Sequence, residues 1–414
     1  MAGRPRILLI GTADTKSPEL AFLRDCIAEA GGETVFMDVG VLAPGAYAPD
    51  IGNEAVAAAA GVTLDEIKAS GDENTAMTSM AKGAATIAAR LRAECRIDGM
   101  LALGGTMGTD LALDVAAALP LGVPKCVVST IAHSHLVPPE RVTPDLIAVL
   151  WAGGLYGLNA ICRSALAQAA GAVVGACRVA RPPSGERPLV GMTSLGKSCL
   201  SYMELLLPAL EQRGYEVAVF HTTGMGGRAF EALAAEGAFA AVMDFSLQEL
   251  ANHCAGSVVT AGSTRLESAG RRGVPQIVAP GAIDMIDFPA WRPDAKADEE
   301  GRGFHAHNRL IASIAATAEE RRGVARLISE KLSRATGPTA YILPRGGVEA
   351  WDRPEQPMHA PASLAAFLQE ARATAPGNAD FIEIDAHIND RAFAEKALEI
   401  FDRWVSEGVI AAAR

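Results

Sequence analysis

The chain has 414 residues, half of them apolar and 21% charged, and a net charge of −11 at pH 7. This composition excludes a disordered chain, and the length predicts two or three domains. Because no basic face is evident, a nucleic-acid-binding function is not expected. The longest uncharged run, 146–162, is too short to span a membrane and predicts a buried strand followed by a buried helix.

The seven cysteines are scattered singly and form no Cys-x-x-Cys pair. A disulfide framework or a zinc ribbon is therefore not expected, and the thiols are predicted to be mostly buried in a reducing compartment. Together with the acidic composition, this favours a cytoplasmic protein.

Two stretches repeat one pattern of strand, polar glycine loop, helix, glycine stop and strand. In the first, a strand at 7–10 leads through the loop 11–16 and a helix at 18–30 to a strand at 34–37. In the second, a strand beginning at Leu189 leads through a glycine loop and a helix to a strand at 216–220. This order is typical of a βαβ unit.

The likeness continues downstream. A strand at 100–103 precedes Gly104 and a helix, and Val258-Val259 precede a second loop and a shorter helix. We therefore predict an α/β protein of two Rossmann-like, doubly wound domains with largely parallel sheets, produced by internal duplication.

The predicted boundaries are residues 1–180 for the N-terminal nucleotide- or anion-binding domain, 181–187 for a linker rich in proline, glycine and charge, and 188–414 for the C-terminal domain. Within the second domain, a surface loop is expected at 291–303 and one long helix at 310–334. A closing helix is expected at 392–413.

Ligands of doubly wound sheets bind beyond the carboxyl ends of the strands, so the loops there are the candidate sites. Two loops of the first domain offer amides, hydroxyls and an ammonium group at a helix start, which suits a phosphate or a carboxylate. Capped turns without a ligand are the alternative. The predicted nucleotide-binding residues are Gly11, Thr12, Asp14, Thr15, Lys16, Gly104, Gly105, Thr106, Gly108 and Thr109.

In the second domain, residues 191–198 match the P-loop pattern Gly-x-x-x-x-Gly-Lys-Ser. A true P-loop would use Asp244, at the end of an apolar run, for its magnesium ion. A differently built anion loop and a capped turn are the alternatives. The candidate anion-binding residues in this loop are Thr193, Ser194, Gly196, Lys197 and Ser198.

A further loop, 221–228, carries Gly224, Gly226, Gly227 and Arg228, whose amides and guanidinium could hold a substrate anion. Asp284 follows another strand and is placed for proton transfer, a ribose or a metal. His387 ends an alternating strand and is a candidate general base, with a structural histidine as the alternative. The spaced histidines 133/135 and 305/307 are unspecific, and no resident metal site is predicted from them. The full Gly-x-Gly-x-x-Gly fingerprint is absent, which disfavours a nicotinamide-dependent dehydrogenase.

Six of these segments together resemble a family that includes the tomato mosaic virus resistance protein of plants and many uncharacterised bacterial and fungal proteins. The segments are GTADTK (11–16), ALGGTMGT (102–109), GGLYGLN (153–159), HTTGMGGR (221–228), VAPGAIDM (278–285) and DAHIND (385–390). The resemblance implies two Rossmann-like subdomains, ATP binding and frequent dimers. Longer relatives carry a TIM barrel, so it also implies a possible separate TIM-barrel partner. Lys197-Ser198 departs from the family pattern, which makes the P-loop match a local variation.

The leading hypothesis is an ATP-binding protein, and more specifically an ATP-using enzyme that acts on a small anionic metabolite in the cleft between the domains. Mg²⁺ would accompany the nucleotide, Asp284 and His387 would be the reactive groups, and the protein would be a homodimer or a higher homo-oligomer. One alternative is a nucleotide-independent hydrolase or isomerase of a sugar acid or a phosphorylated metabolite. The other is a binding or regulatory module that senses a nucleotide.

Overall fold

The computed structural model describes residues 3–43, 45, 47–181, 186–291 and 302–413. Contacts divide the chain into two compact units, Met1–Pro183 and Ser184–Arg414. Residues 182–185 of the predicted linker and 292–301 of the predicted surface loop lie outside the described residues.

The N-terminal unit is built on a five-stranded sheet in the order β2-β1-β3-β4-β5, in which every pairing is parallel. Its strands are β1 (Arg6–Gly11), β2 (Glu33–Asp38), β3 (Gly99–Gly104), β4 (Lys125–Ser129) and β5 (Leu146–Leu150). Its helices are α1 (Ala13–Glu29), α2 (Asn53–Ala60), α3 (Leu64–Ala69), α4 (Glu73–Ala93), α5 (Thr106–Ala117) and α6 (Ala160–Val179).

Strand β1 shows why this sheet is covered on both faces. Side chains alternate across a strand, and all four apolar residues of β1 are buried. Leu8 and Ile10 pack in the core that includes α4 and α5, whereas Ile7 and Leu9 pack in the core that includes α1 and α6. A continuous apolar run is therefore the sequence of a strand with helices on both sides.

Helix α6 is the one described helix that is long and apolar enough to cross a membrane by length and composition. Its inner face, which includes Leu166 and Val173, packs in the core beneath the sheet. A core helix of this kind passes the same length test, so the finding is weak evidence for a membrane span. Strand β5 precedes it at the edge of the sheet and is only partly buried.

The C-terminal unit contains a six-stranded parallel sheet in the order β14-β13-β9-β8-β6-β7 and a three-stranded antiparallel sheet in the order β10-β12-β11. Its strands are β6 (Leu189–Ser194), β7 (Glu216–His221), β8 (Ala241–Asp244), β9 (Gln276–Val278), β10 (Met285–Pro289), β11 (Phe304–Ala306), β12 (Ile311–Ala315), β13 (Thr339–Pro344) and β14 (Asp380–Ile384). Its helices are α7 (Ser201–Gln212), α8 (Met225–Glu236), α9 (Gln248–Cys254), α10 (Ser268–Arg272), α11 (Ala318–Ser333), α12 (Pro361–Ala373) and α13 (Arg391–Ser406).

The prediction of two doubly wound α/β domains is confirmed. In each unit the first strand lies between the second and the third, and the fourth and fifth strands of the parallel sheet follow outward, an order consistent with duplication. One detail of the predicted correspondence is wrong, because the counterpart of β3 is β8 and not Val258-Val259. Those two valines lie in a loop in which the Ser257 hydroxyl accepts a hydrogen bond from the amide of Val259.

The long helix predicted at 310–334 is also wrong in its first part. Residues 311–315 form β12, which pairs with strands on both sides, and α11 begins only at Ala318. Thr317 and Glu320 form a capping box there, which satisfies amides at the new helix start. The closing helix is α13, which ends at Ser406 before Gly408 takes a positive φ of 74°.

All seven cysteines are free thiols. Four of them are buried, whereas Cys95 and Cys254 are exposed.

Candidate functional site

A cavity of about 700 Å³ lies in the N-terminal unit where β1, β2 and β3 end. From β1 the chain continues to β2 on one side of the sheet, whereas from β3 it continues to β4 on the other side. The connections after β1 and β3 therefore run to opposite faces of the sheet and leave a crevice between them. Both predicted loops reach this cavity. The predicted residues that line it are Thr12, Asp14, Thr15, Lys16, Gly104, Gly105, Thr106 and Gly108.

The other two predicted residues of these loops have packing roles. A Cβ atom at Gly11 would lie 2.6 Å from a methyl group of Leu20, so glycine lets α1 lie close to the strand. The hydroxyl of Thr109 is buried and shares a hydrogen bond of 2.7 Å with the hydroxyl of Ser129, which ties α5 to β4.

The start of α5 gives the cavity a surface suited to an anion. Gly105 is the N-cap residue and offers no side chain to cap the amides of the first turn. A Cβ atom at Gly104 would lie 2.5 Å from Cα of Gly108, so the tight approach of strand and helix requires glycine. Unpaired amides and the positive end of the helix dipole both favour a negative group here.

The loop after β1 forms a tight turn before α1 continues. The carbonyl of Thr12 accepts hydrogen bonds from the amides of Thr15 and Lys16, and Lys16 itself has non-helical backbone angles. The carboxylate of Asp38, at the end of β2, accepts hydrogen bonds from the amides of Ala13 (2.9 Å) and Gly40 (2.8 Å). Asp38 therefore holds two loops of the cavity together, and its burial raises its pKa.

Sequence reasoning missed Asp38. An acidic residue at the end of the second strand of a βαβ unit is the signal that could have found it.

Lys16 and Asp14 occupy the same wall. The ammonium group of Lys16 donates to the carbonyl of Leu155 at 2.7 Å and lies 5.4 Å from the centre of the Tyr156 ring. The loop after β5 thus positions Lys16, and an ammonium group has three donors to offer. One oxygen of Asp14 accepts from the amide of Leu42, and its other oxygen is buried and has no hydrogen-bond partner among the described residues.

A further part of the lining, the apolar wall, comes mostly from the segment between β2 and β3, where no motif drew attention. Met77 and Met80 of α4 contribute to it, and Lys68 of α3 also lines the cavity. The Lys68 ammonium group is exposed and makes no ion pair within the described part of the chain. The apolar lining residues are Val39, Val41, Leu42, Ile67, Ala76, Met77, Met80, Leu103 and Met107.

The sequence 191–198, which matches the P-loop pattern, does not form a P-loop. The amide of Ser198 donates to the carbonyl of Leu195 at 3.0 Å, so Gly196 and Lys197 lie in a closed turn, and α7 begins only at Ser201. A P-loop instead carries its lysine and hydroxyl into the helix, with amides that cradle the phosphates. Lys197 is exposed in this turn.

The remaining groups of that loop are already bonded within the protein. The hydroxyl of Thr193 donates to Asp244 at 2.7 Å, and the hydroxyl of Ser194 donates to the carbonyl of Cys199 at 2.9 Å. Asp244 also binds the guanidinium of Arg265 at 2.6 Å. Asp244 is therefore committed to a buried ion pair rather than open to a magnesium ion.

The loop after β7 already holds an anion, and that anion is the protein's own Glu249. Its carboxylate accepts hydrogen bonds from the amides of Gly224 (2.6 Å) and Gly227 (3.2 Å). A Cβ atom at Gly226 would lie 1.9 Å from the carbonyl oxygen of His221, so this glycine serves a close backbone approach. Arg228 lies in the first turn of α8. The predicted substrate anion would have to displace an internal carboxylate from these amides.

Arg265 balances the charge of Glu249. Its guanidinium is fully buried, lies 2.8 Å from Glu249 and 3.3 Å from Glu231, and also binds Asp244. One cation thus faces three buried carboxylates, two of which also accept backbone amides. The network fixes the loops at the ends of β7 and β8.

Asp284 is the unusual group of the C-terminal unit. It is fully buried, and neither carboxylate oxygen has a hydrogen-bond partner in the described structure. Burial raises its pKa to about 7, opposed by Arg321 and reinforced by Asp352. Burial also raises the pKa of Glu349 to about 10, and the charge of Asp284 adds to that effect. Both shifts favour the protonated forms of these two carboxyl groups.

Both ring nitrogens of His387 are occupied. Nε2 lies 2.9 Å from the carbonyl of Glu349 and 3.0 Å from Asp352, and Nδ1 accepts from the amide of Asn389. Because Nδ1 accepts, Nε2 carries the proton. His387 could take a substrate proton only by breaking one of these bonds.

Among the residues that the structure describes, no group of three or more histidine, cysteine, aspartate or glutamate side chains is arranged to hold a metal ion. The ring centres of His305 and His307 are 6.1 Å apart, and His305 stacks on Trp351 at 3.8 Å.

The family follows from two models that together match nearly the whole chain. The N-terminal domain of the uncharacterised protein family UPF0261 matches residues 5–182, and the C-terminal domain of that family matches residues 187–405. The chain belongs to the UPF0261 family. A UPF0261 protein of Brucella suis is 58% identical over 98% of this chain and 97% of its own length.

The tomato ToMV resistance protein Tm-1 is a more distant relative. It is 27% identical over 96% of this chain and 55% of the tomato protein, so the predicted relationship is confirmed. ATP binding stays a prediction. Among solved structures, a Staphylococcus aureus MnaA–UDP complex aligns with 97% of this UPF0261 chain and 97% of its own, at 9% identity. The TM-score of that alignment is 0.25, too low to support an argument.

Proposed function

We propose that this UPF0261 protein binds ATP in the cavity of its N-terminal unit. The observation that carries the proposal is that one cavity combines an uncapped helix start with a separate apolar wall. Its volume of about 700 Å³ lies within the range of small-molecule sites. A nucleotide has the same two halves, an anionic chain and an apolar base.

We expect the nucleotide to bind in one orientation. The phosphates would lie against the amides of Gly105 and Thr106 and near the ammonium groups of Lys16 and Lys68. The base would lie against the apolar wall that includes Met80. Tight turns and a helix start supply amides that need no rearrangement, so little ordering is required when a phosphate binds.

The charges of the cavity support a divalent cation with the nucleotide. Three carboxylates (Asp14, Asp72 and Glu73) and two ammonium groups line it, a net charge of −1. A triphosphate adds further negative charge, which Mg²⁺ would offset. The buried oxygen of Asp14 that has no hydrogen-bond partner among the described residues is a hard ligand of the kind that Mg²⁺ prefers, directly or through a bound water.

Isothermal titration with Mg·ATP tests the proposal, with a lysine outside the cavity as the control. Lys68→Ala and Lys16→Ala should each weaken binding about threefold to tenfold, because each removes about one ion pair with a phosphate. Lys82→Ala, exposed on α4 outside the cavity, is the control and should leave the Kd unchanged. If neither Lys16 nor Lys68 matters while the controls bind ATP, the site is elsewhere. Lys197→Ala should likewise have no effect, since the P-loop is not formed.

Asp284 supports the further proposal of an enzyme that acts on a small anionic metabolite. A buried carboxyl group with a pKa of about 7 can donate or accept a proton near neutrality. The same observation also fits an enzyme that uses no nucleotide. Turnover of a panel of sugar acids and phosphorylated metabolites, with and without ATP, separates the two. Asp284→Asn should abolish turnover in either case while Mg·ATP still binds. Binding of ATP without turnover of any compound would favour a nucleotide-sensing module.

A further inference from the structure

A second cavity, of about 420 Å³, adjoins the first within the N-terminal unit. Five residues line both cavities: Asp72, Glu73, Met77, Thr106 and Met107. Their common wall is therefore formed where α4 and α5 begin. Because the two cavities share these lining residues, ligands that occupy both cavities could contact each other.

The second cavity adjoins the phosphate end of the first. Thr106 begins α5, whose uncapped amides form the anion-binding surface, and Thr106 lines both spaces. Met80 and Ile67 belong to the apolar wall and line the larger cavity without reaching the smaller one. A group in the smaller cavity would thus meet the outer phosphates and not the base.

Part of the smaller cavity is apolar and open to solvent. Leu136 is 67% exposed and Met107 is 42% exposed, and both line it together with Ile131 and Val137. Exposed apolar side chains that converge on one space favour a ligand with an apolar body, because its binding removes that surface from water.

The charges of the smaller cavity disfavour an anion. Its one lining cation among the described residues is Arg141, which is already bound to Asp110 (2.7 Å) and Asp114 (2.8 Å). Asp72 caps α4 through hydrogen bonds that lower its pKa, so its carboxylate stays charged. Glu73 makes no ion pair within the described part of the chain. A positively charged ligand could pair with Glu73, which has no ion-pair partner among the described residues. A negatively charged ligand would meet no cation that is free to pair among the described lining residues.

We propose that the smaller cavity is a subsite for a second ligand, an organic ammonium compound with an apolar body. Its apolar part contacts Leu136 and its ammonium group faces Glu73. That the compound lies beside a phosphate chain rests on the proposed function, whereas its chemical class follows from the subsite alone.

Methionine methyl NMR tests the subsite, because methionines distinguish the two cavities. Met107 and Met77 line both, and Met80 lines only the larger one. The probes are phenethylamine, phenethyl alcohol and hydrocinnamate, which share a phenyl body and differ in charge. Phenethylamine should shift the Met107 and Met77 signals but not the Met80 signal, about threefold to fivefold more tightly than the alcohol. Hydrocinnamate should bind most weakly.

Two variants sharpen the result. In the Glu73→Gln variant, phenethylamine should bind no more tightly than phenethyl alcohol, and the affinity of the alcohol should be unchanged. Leu136→Ser, on an exposed side chain outside the larger cavity, should weaken both while Mg·ATP still shifts the Met80 signal. If no probe shifts Met107 while Mg·ATP shifts Met80, the subsite is refuted and the ATP site stands. If hydrocinnamate binds as tightly as the amine, the proposed ligand class is wrong. If Mg·ATP leaves Met80 unmoved while the amine shifts Met107, the ATP proposal fails by itself.

Discussion

Asp284 makes the stability of the C-terminal unit depend on pH in a direction that the structure determines. Its ordinary pKa is 3.8, and burial raises the value to about 7 in the folded protein. A carboxyl group whose folded-state pKa is raised binds its proton more tightly in the folded state. Asp284 therefore does not lower the free energy of unfolding below pH 4, and it destabilises the folded state progressively as the pH rises from 4 to 7.

The size of this effect follows from the shift. Three pKa units correspond to about 4 kcal/mol, and the cost is complete above pH 7. An asparagine side chain at this position would have nearly the shape of a protonated aspartate and would not ionise. The variant Asp284→Asn should therefore gain stability relative to the natural protein by up to about 4 kcal/mol between pH 4 and pH 8. If the amide group itself changes the free energy of unfolding by an amount that does not vary with pH, this pH dependence stays the same.

Urea unfolding followed by tryptophan fluorescence measures the gain. Trp151 is the one tryptophan of the N-terminal unit, so a Trp151→Phe background leaves three reporters, all in the C-terminal unit. Asp385→Asn makes the same chemical change at a side chain that is 88% exposed. This control should stay within about 0.5 kcal/mol of the parent at every pH.

A difference between Asp284→Asn and its parent that is the same at pH 4, 6 and 8 would refute the reasoning. It would mean that the buried carboxylate is compensated by a partner or is reached by water. A stability gain above pH 7 that accompanies loss of turnover would instead mark Asp284 as a group kept for function at the expense of stability.

Two further substitutions, each with a matched control, test the packing. Arg265→Met removes the cation of three buried carboxylates and should destabilise the C-terminal unit by about 3–5 kcal/mol at pH 7 in urea unfolding. The control Arg271→Met removes a guanidinium that is 64% exposed, and its effect should stay below about 0.5 kcal/mol. Gly83→Ala would place a Cβ atom 1.9 Å from the carbonyl oxygen of Val56, so it should cost the N-terminal unit about 1–3 kcal/mol in thermal unfolding. The control Gly171→Ala places a Cβ atom in open space on α6 and should leave the stability unchanged or raise it. An equal loss of stability in both variants would contradict close packing of α2 on α4.

Much of the N-terminal site could be predicted because its signals are local. Apolar runs ending in glycine-rich loops predict parallel strands and helix starts, and the carboxyl ends of such strands lie at one edge of a sheet. The structure brings Thr12, Asp14, Thr15 and Lys16 together with residues 104–108 at one cavity. Lys68 and Met80 could not be predicted in the same way. They approach the cavity through the fold of α3 and α4 and carry no motif of their own.

The C-terminal loops show where local pattern fails. The sequence at 191–198 matches a P-loop, but a hydrogen bond from Ser198 to Leu195 closes the turn. The carbonyl of Ser198 also accepts bonds from Ala350 and Asn389, more than 150 residues away in the chain. The amides at Gly224 are likewise occupied by Glu249, a residue outside the loop.

The sequence by itself determined the two doubly wound domains and the positions of the strands on either side of their first glycine loops, because periodic burial and glycine turns act over a few neighbouring residues. Only the tertiary structure decided which loops stay open to a ligand and which are filled by the protein's own side chains. The reason is physical: a buried amide or carboxylate must find a partner, and that partner is chosen by proximity in space rather than along the chain.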